Sequence, residues 1–284
     1  MKPEVLAFSG ILVAALVFSQ FVEAGSLDLA NYRPEILSER PGVGDVGRIL
    51  LIVFAGTAFL VVAKLLGLTL RIFVEAGAFA GAYYFVSPFL GDFAGISAGV
   101  LMVALRATPY LLFLNLSAVL SILSFAFLFG TFLSWNLVLL TISAMAVYDA
   151  VAVLYTKHMK FLWLGSFGNR FGNRFGVFGG LIEHPKWRET FALFFPRKGA
   201  LSVIGAGDFA LPATFVVSVA SSGGFYAGLV TAAFLVLSFL LLEKISSDSE
   251  KTFDTGIPGI PPMALGACLA ALFLISSGVL LPAF

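Results

Sequence analysis

A chain of 284 residues that is 60% hydrophobic and only 12% charged is no ordinary soluble domain, which carries about 25% charged residues. Its mean hydropathy of +1.01 and apolar runs of roughly 20 residues along its whole length mark a polytopic integral membrane protein. A net charge of +1 leaves no basic patch dense enough for nucleic acid, and the single cysteine, Cys268, excludes an internal disulfide or a CxxC metal site.

The first apolar run, Glu4–Glu23, is longer than a signal-peptide core and lacks a small-x-small cleavage site before Gly25, so it counts as a span. Gly47–Leu66 and Leu70–Leu90 follow. The fourth run, Gly95–Leu105, is short and Gly-rich, with an alternative start near Asp92. Pro109–Phe129 and Leu133–Thr156 are the fifth and sixth. A long linker, Lys157 to Gly199, then carries the tandem "FGNRFGNR" (Phe167–Arg174) and reads as a mobile basic segment near the membrane surface. Ala200–Ser221, Phe225–Leu242 and Gly259–Leu281 complete the set. The expected fold class is an all-α polytopic membrane protein with nine transmembrane helices. Residues 1–156 form a six-span part, 157–199 a loop and 200–284 a three-span part.

Basic residues set the expected orientation. Fourteen of the 17 Lys and Arg residues fall at the N-terminus or in the loops after spans two, four, six and eight. Arg33, Arg40 and Arg48 lie on the opposite side. The positive-inside rule then puts the N-terminus and the long loop in the cytoplasm and the C-terminus outside.

Two carboxylates stand out against this background. From Ala107 to Thr156 the only charge is Asp149, and from Gly199 to Leu242 it is Asp208. A charge at the bilayer centre costs about 2.5–3.5 kcal/mol on insertion scales, so such residues are functional candidates. Counted from the expected cytoplasmic ends of spans six and seven, both lie about 11–12 Å deep. Consecutive antiparallel helices can bring them face to face, and no Lys or Arg at that depth neutralises either. Two such carboxylates cannot both ionise cheaply in a low dielectric, so they share a proton. One then serves as general base toward water and the other as general acid toward a carbonyl oxygen or leaving amine. That chemistry needs no metal, no cofactor and no covalent intermediate. The plainer alternative is a pair of structural polar residues, against which the matched depth speaks.

Tyr148-Asp149 and Gly205-Ala206-Gly207-Asp208 match the YD and GxGD motifs of intramembrane aspartyl proteases. With nine spans and a long loop between six and seven, the whole chain resembles the presenilin family, archaeal homologues included. The resemblance implies an aspartic endopeptidase with Asp149 and Asp208 as catalytic residues, cutting within the spans of single-span membrane proteins. It also implies contact with membrane lipid, no obligate partner subunits, an oligomeric state left open, and residence in the plasma membrane of a prokaryote. Gly205 and Gly207 remove side chains just before Asp208, permitting close backbone approach and local unwinding; simple helix packing is the alternative. Tyr148 either hydrogen-bonds near the aspartates or packs beside them.

The family also carries a Pro-Ala-Leu motif at the cytoplasmic start of span nine, where this chain has "GIPGIPPMALG", Gly256–Gly266. In one register Pro258-Gly259-Ile260 stands in its place, followed by Pro261. In the other, Pro262, Ala264 and Leu265 do so around an inserted Met263. Three prolines in this short stretch are expected to forbid regular helix and leave backbone groups for an extended peptide. Pro258, Gly259, Ile260 and Pro261 are therefore substrate-binding candidates.

Other readings fare worse. The chain has no HExxH for a zinc protease and no GxSG with a membrane histidine for a serine protease. His158 and His184 both read as surface residues of the long loop. Signal peptide peptidases carry the same aspartates in the inverted orientation, and prepilin peptidases lack the YD partner. An ion transporter or cation leak pathway could use paired carboxylates, but no inverted repeat is visible. A catalytically silent binder is a third class. Among the remaining polar residues, Arg71 and Glu75 are expected to pair along a helix and Asn115 to bond between helices. Glu23, Lys64, Arg106 and Glu243 are expected to snorkel from helix ends.

Overall fold

The computed structural model describes residues 2–23, 44, 46–52, 54–55, 59, 71–108, 110–151, 192–197, 200–249 and 259–280. Its elements in chain order are α1 (Pro3–Glu23), α2 (Arg71–Leu90), α3 (Asp92–Arg106), α4 (Leu111–Phe132), α5 (Trp135–Ala150), β1 (Ala192–Arg197), β2 (Ala200–Gly205), α6 (Gly207–Ser249) and α7 (Ile260–Ser276). Most of the expected second span lies outside the described residues. So do most of the long loop with its tandem and both histidines, and Pro258.

Among the described residues, four helices are long and apolar enough to cross a membrane: Pro3–Phe21, Arg71–Leu90, Leu111–Phe132 and Gly207–Lys244. Trp135–Ala150 and Ile260–Ser276 are shorter apolar helices. The chain is built mainly of apolar helices and is an integral membrane protein. The fourth expected span takes its earlier start, at Asp92. The seventh and eighth lie within α6, which Gly224 breaks with φ 80° and ψ 175°. A side chain at that positive φ would be strained, so glycine sets the break between the two spans.

The structure corrects the all-α expectation in one place. Ala192–Arg197 and Ala200–Gly205 pair as antiparallel strands, running in register from Ala192↔Gly205 to Arg197↔Ala200. Residues 200–205, assigned from sequence to the seventh span, are strand, and helix begins only at Gly207. The reason is local. Aromatic and β-branched residues (Phe194, Phe195, Val203, Ile204) suit a pleated surface, and two residues, Lys198-Gly199, join the strands.

The chain divides into two compact units, residues 1–54, 126–161 and 208–284 in the first and 55–125 and 162–207 in the second. In the first unit, Phe8 of α1 stacks on Phe239 with centroids 4.5 Å apart and meets Phe209 at 5.5 Å. Ser218 Oγ donates to the Leu133 carbonyl at 2.6 Å, tying α6 to the turn before α5. Glu243 is paired with Lys2 at 2.7 Å.

In the second unit, α2 and α3 pack as a helical pair, and Ser124 Oγ of α4 donates to the Gly81 carbonyl of α2 at 2.6 Å. Arg71 and Glu75 approach to 3.8 Å, as their spacing leads one to expect. Two expectations fail here. Arg106 does not snorkel: it is 1% exposed, its Nε donates to Glu75 Oε2 at 3.2 Å and its Nη1 to Ser117 Oγ. Burial at the end of an apolar helix requires that neutralisation. Asn115 bonds not to another helix but to the backbone of Phe194 in β1.

Candidate active site

Asp149 stands in the last turn of α5, 8% exposed. Its helix packs against α7, and the start of α7 supplies its partners. The Ile260 amide donates to Asp149 Oδ2 at 3.1 Å, and the Gly259 amide is a second backbone donor. The first amides of a helix have no intrahelical acceptor, and their partial positive charge favours an acidic neighbour. Asp149 thus satisfies the N-terminus of a helix to which it does not belong.

Asp208 is the second residue of α6. Strand β2 ends at Gly205, Ala206 makes the turn, and helix begins at Gly207. Phe209, fully buried in the cluster with Phe8 and Phe239, anchors this first turn. Pro212 lacks an amide hydrogen, so the Asp208 carbonyl has no donor four residues on in the helix. The Asp208 side chain is half-buried. It interacts electrostatically with Asp149 and lies beside Gly259, where a Cβ would come within 3.2 Å of Asp208 Cγ and Oδ2. Glycine at 259 leaves the space that the carboxyl group occupies.

Three segments therefore meet: the end of α5, the start of α6 and residues 259–260. Among the described residues, no Lys or Arg forms an ion pair with Asp149 or Asp208. Such an arrangement can hold a water between two carboxyl groups and exchange protons with it.

The remaining sequence-derived candidates fall as follows. Tyr148 is half-buried, and its ring packs edge-on against Phe54 with centroids 4.9 Å apart. Gly205 and Gly207 bracket a strand-to-helix turn, which agrees with local unwinding. Close approach is not what Gly207 provides, because a Cβ there would meet nothing within 4 Å. Of the two registers at the start of α7, Gly259 and Ile260 reach the aspartates. Ala264 and Leu265 lie further along the helix, with Leu265 60% exposed.

The expectation that the prolines forbid helix is corrected. Helix starts at Ile260, with Pro261 and Pro262 in its first turn. Proline belongs there, since its fixed φ is helical and its missing N–H would have had no acceptor. The sequence reading missed the contact of Gly259 with Asp208. The signal was present: glycine stands where the family motif has alanine.

No family model matches the chain, and no curated protein matches it. Among solved structures, the chain is similar to two of a presenilin family intramembrane aspartate protease, from different crystal forms. One shares 19% identity at a TM-score of 0.55, over 97% of this chain and 95% of that one. The other shares 21% at 0.59, over 98% and 96%. The likeness extends over essentially the whole chain and shows a common fold.

Proposed function

We propose that the protein is an intramembrane aspartic endopeptidase of the GxGD type, with Asp149 and Asp208 as its catalytic residues. The observation that carries this reading is their convergence with Gly259 and Ile260, without a neutralising cation among the described residues. One carboxyl group takes a proton from water as that water attacks the scissile carbonyl. The other gives its proton to the carbonyl oxygen and, later, to the leaving amine. The open side of Gly207, beside Asp208, leaves room for water and peptide. Tyr148 and the glycines shape the site.

In this reading the substrate is a single-span membrane protein whose helix unwinds before attack, because helical amides are hidden in hydrogen bonds. Residues 258–261 border the unwound segment. The Ile260 amide is engaged by Asp149, which leaves pairing with the peptide to other backbone groups. The chain crosses a prokaryotic plasma membrane nine times, N-terminus in the cytoplasm and C-terminus outside. It works without obligate partner subunits, and the long loop faces the cytoplasm.

A hydroxyl-bearing transition-state isostere tests this reading. It should inhibit cleavage of a single-span substrate competitively, and Asp149→Ala or Asp208→Ala should abolish its binding. Cleavage indifferent to the isostere, or ion flux lost in the same variants with no proteolysis in the wild type, would overturn it.

A further inference from the structure

We propose that Gly266 is a positioning residue for cleavage: by leaving room for Ser238 against α7, it sets where that helix delivers Gly259 and Ile260 to the two aspartates. The proposal rests on the protease reading given above.

Gly259 and Gly266 lie seven residues apart, and Gly259 already has helical angles, φ −83° and ψ −37°. Seven residues are close to two full turns, so both glycines stand on one face of α7, about 10 Å apart along its axis. Each faces α6 and lacks a side chain where α6 fills the space. At Gly259 the neighbour is the Asp208 carboxyl group. At Gly266 a Cβ would stand 2.9 Å from Ser238 Cβ and 3.2 Å from the Phe234 carbonyl oxygen, and closer still to Ser238 Oγ. Gly266 and Ser238 are both buried. Seven residues further on, Phe273 packs against Phe234 with centroids 5.9 Å apart, so the contact of α7 with α6 continues along that face.

Ser238 stands next to Phe239, whose ring stacks on Phe8 and lies 6.1 Å from that of Phe209. Phe209 follows Asp208 directly. From one short stretch of α6, therefore, two series of contacts run to the site. One passes through Phe239 and Phe209 to Asp208. The other passes through Ser238 and Gly266 to the start of α7, where the Ile260 amide meets Asp149 at 3.1 Å. They close on each other where Gly259 lies beside Asp208. All of these residues belong to the first compact unit.

Packed side chains of this kind hold a catalytic geometry to within about half an ångström. A methyl group at 266 meets a Cβ and a backbone oxygen, neither of which can rotate away, so α7 must move off α6. A helix moves as a rod, and the shift reaches Gly259 and Ile260 two turns away. If the glycine served close helix packing alone, as it commonly does in membranes, the same methyl would lower stability and leave the chemistry untouched.

The test uses the full chain in lipid nanodiscs, as wild type, Gly266→Ala, Ser238→Gly and the double variant. Cleavage kinetics on a single-span substrate are read beside thermal unfolding. Gly266→Ala should lower kcat by about 10–10²-fold, the scale of a displacement of up to an ångström at a reacting group. Its KM should stay within about twofold, because the loss falls on the transition state. Ser238→Gly removes the Cβ and Oγ that the new methyl would meet. The double variant should therefore recover kcat to within about threefold of Ser238→Gly alone. If Gly266→Ala does not fold, Ser238→Cys is read in its place. Its larger sulfur presses on the same contact and should lower kcat about threefold or more; an unchanged kcat there overturns the proposal. So does a Gly266→Ala variant that unfolds more easily but keeps the wild-type kcat, or a double variant no faster than Gly266→Ala. A wild type that cleaves nothing would sink the protease reading and this proposal with it, whereas the other outcomes leave that reading intact.

Discussion

The two units treat buried charge in opposite ways. In the second, Arg106 is 1% exposed and fully answered, by Glu75 at 3.2 Å and by Ser117. In the first, Asp149 is 8% exposed and is met, among the described residues, by backbone amides and by Asp208, another acid. Both regions bear the desolvation cost of ionisable groups in an apolar setting. The second unit offsets it with an opposite charge, which fixes three helices and leaves no proton to exchange. The first leaves two acids beside each other, an arrangement that is poor for stability and useful for moving protons. A buried charge with its counter-charge reads as structure; a buried pair of like acids reads as chemistry.

Substitutions in the two regions should therefore separate activity from stability. The largest effect is expected at the aspartates. Asp149→Asn and Asp208→Asn should each lower kcat by about 10²–10⁴-fold, with folding little changed. The double variant should be no worse than either single one, because the pair acts as a unit. Steady-state cleavage beside thermal unfolding checks this. Next comes the ion pair. Glu75→Ala should destabilise the protein by about 3–5 kcal/mol, since it strands a buried guanidinium, while the folded fraction keeps its specific activity. Unfolding measured in lipid, normalised for active protein, would show it.

Two glycines flanking Asp208 sharpen the comparison within the site. Gly259→Val places bulk where even a Cβ comes within 3.2 Å of the carboxyl group, and should cost roughly 10²-fold in kcat by displacing it. Gly207→Ala enters the open space that the protease reading gives to water and peptide, and should cost less in kcat/KM than Gly259→Val. It should also raise stability by about 0.5–1 kcal/mol through helix propensity.

Much of this was legible in the sequence because it rests on strong local signals. Long apolar runs gave most of the described helices to within a few residues, the start of the seventh span excepted, and a lone acid in 44 or 50 otherwise uncharged residues is conspicuous. The expectation that Asp149 and Asp208 come together rested on consecutive antiparallel spans. The depth argument behind it needs revision, because Asp208 sits in the first turn of its helix, behind a strand. That strand was hidden by an apolar composition that suits helix and strand alike, although two short apolar runs around Lys198-Gly199 are a hairpin signal. The Arg106–Glu75 pair, 31 residues apart, is a tertiary fact with no local signature. Pro261 and Pro262 misled because proline breaks a helix interior but suits its first turn.

The most direct test is cleavage of a single-span substrate in proteoliposomes, with the cut located by mass spectrometry. Wild type and Glu75→Gln should both cut inside the apolar segment, and Asp149→Asn and Asp208→Asn should cut at least about 10²-fold more slowly. A cut outside that segment, or one undiminished by either aspartate substitution, would contradict the account.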